Sequence, residues 1–360
     1  MSHLSIFRSN LTAQGFDAAI VSDKINQRYL SDFDFDDGLV LVTAESAYLL
    51  TDFRYAEAAE AQCSKELKIL LPEQGMLACI RGILEEEKLS RVAIEEAHLS
   101  YGAFLEYTEK LPNATLSKGA SELLEKQRQR KDEGELAAMA RAQAVTDAAF
   151  SHILTRLTPD MTEIDVALEL EFFMKKQGAQ DLAFSTIAVS GSASSLPHGV
   201  PRNKKLERGF LTMDFGAKVD GYCSDMTRTV VIGRADAEIK KLYHTVLRAQ
   251  TEALAAAGEG ASCAGLDRIA RDIIDAEEGY RGRFGHSLGH GVGLLIHENP
   301  RLSFKAGAQE RLQRGNVVTF EPGIYLEGKY GCRIEDMVAI RPDGSVCNFT
   351  KSTKELIEIL

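Results

Sequence analysis

Between residues 133 and 340 one order of elements occurs twice: two amphipathic helices, then a run of strands. "EGELAAMARAQAVTDAAFSHILTRL" (133–157) reads as a long helix stopped by Pro159. "TEIDVALELEFFMKKQ" (162–177) reads as its partner, opened by a Thr162–Asp165 capping box and ended by Gly178. A strand-rich stretch follows, from 184 to 232. The order then recurs in "DAEIKKLYHTVLRAQTEALAAA" (236–257) and "SCAGLDRIARDIIDAEE" (262–278), the latter with residues 266, 269, 270, 273 and 274 on one apolar stripe. Strands from 284 to 340 complete it. The two halves share pattern rather than residues, which predicts a pseudo-symmetric α+β unit.

The first 120 or so residues have another texture. "DAAIVS" (17–22), "LKILLP" (67–72) and "RVAIEE" (91–96) read as strands, "GLVLVTAESAYLLT" (38–51) as a hairpin, and "DFRYAEAAEAQ" (52–62) as a helix. This is an α/β domain. A chain of 360 residues exceeds what one core usually holds, and the division is placed at 1–124 and 125–360.

Several function classes are excluded or disfavoured. The net charge of −11 gives no general reason to bind nucleic acid or anionic lipid. The one basic run, "EKQRQRKDEGE" (125–135), is interleaved with acids and reads as a solvated helix face or linker. No apolar run approaches the ~18 residues that span a bilayer, and "MSHLSIFRSNLTAQGFD" lacks the apolar core of a secretory signal. A cytoplasmic enzyme is expected. The six cysteines form no CxxC pair, against a zinc ribbon or thioredoxin motif, and read as buried free thiols. "DFDFDDG" (32–38) fails as a calcium loop, with Asp37 where glycine and Thr43 where glutamate would be needed; these are solvated loop acids.

Acids in apolar strands carry the chemistry. "FLTMDFGAKVDGYCSDMTRTVVIG" (210–233) reads as a hairpin turning near "VDG". A two-residue turn at Asp220–Gly221 sets Asp214 opposite Thr227, with Asp225 one diagonal step away, roughly 7–8 Å between Cα atoms. A turn one residue earlier sets Asp214 and Asp225 directly opposite. In either register both acids share a face, where like charges destabilise a hairpin unless a cation lies between them. Glu321 ends the apolar strand "NVVTF", and Glu335 sits within "CRIEDMVAI", with Arg333 on its face by period-two alternation. A carboxylate there is costly without a partner. Asp214, Asp225, Glu321 and Glu335 together match the charge of two divalent ions. A neutral histidine such as His290 would complete a nitrogen–oxygen set suited to manganese, cobalt, iron or zinc rather than magnesium or calcium. There is no HExxH, which excludes a single-zinc protease of that type.

"GRFGHSLGHGVGLLIHE" (282–298) holds three of the eight histidines and five glycines. It is too glycine-rich for a stable helix, so His286 and His290 are not a helical pair. Gly289, Gly291 and Gly293 are expected to let the backbone pass close to metal and substrate. In extended chain His290 and His297 face opposite ways unless a turn or bulge intervenes, which gives them different tasks.

With these residues in place, the chain resembles the pita-bread metallopeptidases: methionine aminopeptidase, aminopeptidase P, prolidase and creatinase. The resemblance rests on "SLPHG" (195–199), "DFGAKVDGYCSDMTRT" (214–229), "GHSLGHGVGLLIHE" (285–298), "TFEPGIY" (319–325) and "CRIED" (332–336), in that order. "RYLSDF" (28–33) and "TDFRYAEAA" (51–59) are similar to the creatinase-like N-terminal domain. The implied fold is that α/β domain followed by an α+β pita-bread catalytic domain with pseudo-two-fold symmetry.

The resemblance implies a dinuclear centre, manganese first among the candidates, with Asp214 and Asp225 on one ion, Asp225, His290, Glu321 and Glu335 on the other, and Asp225 and Glu335 bridging both. His198 and His297 match substrate-contacting histidines, Arg333 a supporting arginine, and His286 a position behind the site. The full ligand set argues against creatinase and against a binding protein without turnover. The large leading domain favours the proline-specific branch over methionine aminopeptidase. The implied reaction is hydrolysis of an Xaa-Pro bond in a proline-containing peptide by a metal-bridging hydroxide, Glu321 handling the proton. The same five ligands serve a prolidase-like dipeptidase and aminopeptidase P; the short step from Glu321 to Glu335 leans towards the dipeptidase. A homodimer is also implied.

Overall fold

A computed structural model describes residues 1–360, which form two compact units, Met1–Arg128 and Gln129–Leu360. In the first, a six-stranded sheet runs in the order Lys68–Leu70, Ala47–Thr51, Gly38–Thr43, Ala18–Val21, Arg91–Ile94, Thr115–Lys118. The fully buried central strand "AAIV" pairs antiparallel with Gly38–Thr43 and parallel with Arg91–Ile94. A continuous apolar run is what a strand covered on both faces requires. Asp52 caps helix Phe53–Gln62 as its position before the helix predicts. The acids of 32–38 lie at the surface, Asp36 against Lys24 at 2.6 Å and Asp37 against Arg54 at 2.7 Å.

The first unit ends on helix Ala120–Arg128, so the boundary read at 124/125 falls inside a helix. Leu124 is buried on that helix, an apolar anchor that the surrounding charges obscured. The run 125–135 is also less solvated than its composition implied. Arg128 is buried with Nη1 on the Asn26 amide oxygen, and Lys131 is buried with Nζ 3.0 Å from Glu298.

The second unit repeats helix pair and sheet. Helices Glu133–Arg156 and Glu163–Lys176 each begin at a capping box, Asp132 with Glu135 and Thr162 with Asp165. Their apolar faces, including Phe150, Ile153, Val166 and Leu170, pack with Leu211, Met213, Phe215 and Val230 in one core. That core covers a four-stranded sheet in the order Glu358–Ile359, Met226–Ile232, Gly209–Phe215, Ile187–Ser190. Helices Ala237–Ala255 and Cys263–Asp275 pack Leu242, Val246, Leu266 and Ala270 with Val318, Phe320 and Val338. These belong to a five-stranded sheet in the order Glu298–Leu302, Gly289–Gly291, Val317–Phe320, Asp336–Ile340, Val346–Asn348. Each fully buried Phe or Leu in these cores stabilises by roughly 1.5–3 kcal/mol, which fixes the strands that present the acids.

The hairpin turns at Asp220–Gly221, both with positive φ (49° and 79°), as a two-residue type I′ turn demands. Asp214 therefore pairs with Thr227, the first of the two registers. The ladder breaks between Phe215 and Ala217 and again at Ser224–Asp225. Gly216 sits in the first break, where a Cβ would lie 2.0 Å from the Ser224 carbonyl oxygen. The strand read through 332–340 also divides: Tyr330–Arg333 pairs with Gly323–Leu326, Asp336–Ile340 pairs with Val317–Phe320, and Glu335 occupies the break between them.

Candidate metal centre

Every site residue expected from the sequence lines one cavity of about 860 Å³: His198, Asp214, Asp225, His286, His290, His297, Glu321, Arg333 and Glu335. Asp214 sits within its strand, paired with Thr227, whereas Asp225, Glu321 and Glu335 arrive at strand ends and breaks. Glu321 follows Val317–Phe320 and its N–H donates to the Leu288 carbonyl at 2.7 Å. The Glu335 N–H donates to the Thr227 carbonyl at 3.1 Å, tying the break in one sheet to the hairpin of the other.

Coordinating atoms of Asp225, His290 and Glu335 all lie within 4.8 Å of one another, and all three residues are buried. His290 Nδ1 lies 3.0 Å from the Gly291 carbonyl oxygen, which can only accept, so Nδ1 carries the proton. Nε2 then presents a lone pair to Asp225 Oδ2 at 3.5 Å and to Glu321 Oε1 at 3.4 Å. Burial lowers the His290 pKa to about 3, so the ring stays neutral and these contacts are not ion pairs. With the carboxylates ionised, acceptor faces acceptor, an arrangement that costs free energy unless a proton or a cation lies between.

The carboxylates make the same argument. Burial, reinforced by Glu335, Asp214 and Glu321, pushes the Asp225 carboxyl well above its usual range. Burial and the charges of Glu321 and Asp214 do the same to Glu335. Burial pushes Glu321 to about 8 although Arg333 pulls the other way. Asp214 Oδ2 takes Arg333 Nη2 at 2.7 Å, while its Oδ1 is buried with no hydrogen-bond donor. A buried unpaired carboxylate oxygen beside a neutral imidazole and three further acids fits divalent metal, which supplies the missing charge and accepts the free lone pairs.

Behind these atoms runs a chain of hydrogen bonds that sequence reasoning missed in part. Thr227 Oγ1 donates to Glu335 Oε2 at 2.7 Å and accepts from Arg333 Nε at 2.9 Å. Arg333 Nη1 donates to the Tyr325 hydroxyl at 2.8 Å, and His286 Nε2 lies 3.0 Å from the same oxygen. His286 thus stands behind the site, with burial lowering its pKa to about 4. Tyr325 was not singled out, although its place four residues after Glu321 in "TFEPGIY" is a usable signal. Tyr325→Phe removes only the shared hydroxyl, and metal affinity is expected to fall about 10–100-fold, as measured by chelator competition. Unchanged affinity would make the tyrosine a packing residue.

The glycines meet close neighbours. A Cβ on Gly289 would lie 1.9 Å from the Thr319 carbonyl oxygen, on Gly291 2.4 Å from that of Asn299, and on Gly293 2.5 Å from the Glu298 carboxylate. They admit neighbouring strands and a side chain, and Gly289 also lines the cavity. A bulge between His290 and Gly291 and the turn beyond it bring the His290 and His297 rings to 4.4 Å between centroids. His198 and His297 are exposed at the wall of the same cavity. Arg301, also unanticipated, lines the same wall opposite His290 in the strand register.

Residues 137–342 match metallopeptidase family M24, and residues 4–130 match the creatinase/prolidase N-terminal domain. An Xaa-Pro dipeptidase of Pyrococcus horikoshii is 38% identical over 95% of this chain and 94% of its own. The structure of an Xaa-Pro dipeptidase from Bacillus anthracis superposes with a TM-score of 0.93 at 38% identity, covering 99% of this chain and 98% of that one. An X-Pro aminopeptidase structure from Thermotoga maritima gives 0.89 at 34% identity, covering 96% and 98%. The resemblance read from five motifs thus extends over the full fold. The chain belongs to metallopeptidase family M24 and is a metal-dependent peptidase with a creatinase-like N-terminal domain ahead of a pita-bread catalytic domain.

Proposed function

We propose that this peptidase is an Xaa-Pro dipeptidase that holds two divalent ions, manganese foremost. Asp214, Asp225, His290, Glu321 and Glu335 would together hold the two ions. The mixed nitrogen–oxygen donors support manganese, cobalt, iron or zinc over calcium. When bound, such ions polarise a scissile carbonyl and make water a nucleophile near neutral pH.

The chain's own residues supply the rest. An Xaa-Pro bond is a tertiary amide without N–H, so its nitrogen must gain a proton to leave. Glu321, beside His290 at the end of its strand, is placed to take a proton from attacking water at Oε and pass it to that nitrogen. His297, at the cavity wall with its imidazole pKa lowered from the usual value, would offer an N–H to the developing oxyanion, and His198 faces the same space. Arg333 fixes Asp214, near which the substrate's free amine would be met.

The observation that favours the dipeptidase is Arg301. Its exposed guanidinium lines the cavity wall opposite His290 and has no carboxylate partner within the chain, while Arg333 in the same cavity is paired with Asp214. A cation left open beside the reacting centre suits the free carboxylate of a C-terminal proline. Arg301→Ala is expected to lower kcat/KM for Ala-Pro about 10²-fold, mostly through KM, as one charge-assisted pair is lost. An unchanged KM in steady-state assays would remove Arg301 from substrate binding.

A second reading, Xaa-Pro aminopeptidase, draws support from the cavity of about 860 Å³, which exceeds what a dipeptide fills. Proline release from Ala-Pro and alanine release from Ala-Pro-Ala decide between them. Cleavage of the dipeptide alone is expected; preference for the tripeptide would establish the aminopeptidase.

A further inference from the structure

We propose that Lys131 and Glu298 form a positioning pair that sets the turn carrying His297. The proposal rests on the reading of His297 as a substrate-contacting residue. The His297 side chain is exposed, and its ring meets that of His290 at 4.4 Å between centroids. Its position must therefore come from the backbone, and the adjoining residue is the anchor. Glu298 is buried opposite Gly291 in the strand pair, at the point where the bulge resets the register.

Its carboxylate organises the turn from inside. Oε1 accepts the Leu295 N–H at 3.2 Å, and Oε2 takes Lys131 Nζ at 3.0 Å, with only 1% and 3% of the two side chains exposed. Gly293 lies against the same carboxylate, where a Cβ would be 2.5 Å from Oε2. The turn is thus folded around one oxyanion, and a lysine 167 residues away in sequence neutralises it. Lys131 is itself held: its N–H donates to the Gly315 carbonyl at 2.9 Å, one residue before the cap of helix Glu133–Arg156. The pair links the start of that helix to the His297 turn, and neither residue reaches the cavity.

Breaking a buried pair leaves an unpaired charge and destabilises the whole unit. Two variants separate that effect from positioning. Lys131→Met leaves the carboxylate alone, whereas Lys131→Met with Glu298→Gln removes both charges and keeps an acceptor for Leu295. Wild-type cleavage of Ala-Pro is established first, and its absence would refute the functional reading rather than the pair. The double variant is expected to regain the melting temperature lost by the single one and to bind manganese with wild-type stoichiometry. Its kcat should nevertheless stay at least tenfold low with KM nearly unchanged, and amide exchange at Leu295 should be at least tenfold faster. The exchange readout is independent of turnover. Wild-type exchange and kcat in the double variant would overturn the proposal and leave the pair a stability element only.

Discussion

Asp225→Asn is expected to abolish metal binding and lower Ala-Pro hydrolysis by about 10³-fold or more, since a site ion supplies several kcal/mol of transition-state stabilisation. The same substitution should raise the melting temperature of the chelated protein. Asp225 is buried among Glu335, Asp214 and Glu321, and its carboxyl is forced well above the usual range, first by burial and then by those charges. An amide of equal size carries no charge to desolvate and none for its neighbours to repel. Loss of metal with gain of apo stability is a signature that a folding defect cannot imitate. Calorimetry with and without chelator, beside metal analysis, reads both effects. A variant that melts lower in both states would mean Asp225 is structural.

The second large effect is the pH dependence of the metal-free protein. Glu321 has a folded-state pKa of about 8 against an ordinary 4.5, and Asp225 and Glu335 are shifted in the same direction. Above the ordinary carboxylate range these groups bind more protons folded than unfolded, so stability falls as pH rises through the folded values. The histidines act oppositely: His286 and His290, lowered by burial from 6.5 to about 4 and about 3, contribute stability that is lost as pH falls below 6.5. The two trends oppose each other below pH 6.5, and the carboxylates act alone above it. The melting temperature of chelated protein should therefore drop between pH 6.5 and 8, whereas that of loaded protein should change little. At ion concentrations a hundred times Kd, each ion stabilises by about 2.7 kcal/mol, worth about 5–10 °C. Parallel pH profiles for chelated and loaded protein would contradict a carboxylate site that needs cations.

The residues of the site were legible in the sequence because buried acids are rare and expensive. Asp225 and Glu335 stood out as charges in apolar strands, and a two-residue turn at Asp220–Gly221 placed Asp214 opposite Thr227, as the structure has it. Helix starts were equally legible, since Thr162 with Asp165 offers a capping box whatever lies elsewhere. What stayed hidden depends on distance and register. The strand breaks at Ser224–Asp225 and at Glu335 leave no local signature, yet they turn the acids out of the ladder. The bulge after His290 and the turn beyond it bring His297 to its side, and no spacing rule announces a bulge. Lys131 looked like one more surface charge because its partner lies 167 residues along the chain. The glycines were noticed but their neighbours were not: glycine shows that something approaches closely, and only the packed structure shows that it is Thr319, Asn299 or Glu298.

The account turns on metal held by these buried acids cleaving the bond before proline. The most direct test is to strip the protein with chelator and titrate manganese while following proline release from Ala-Pro and ions bound per chain. Proline release should be absent from the stripped protein and reach its plateau at two ions per chain. Full activity that survives the chelator would contradict the account.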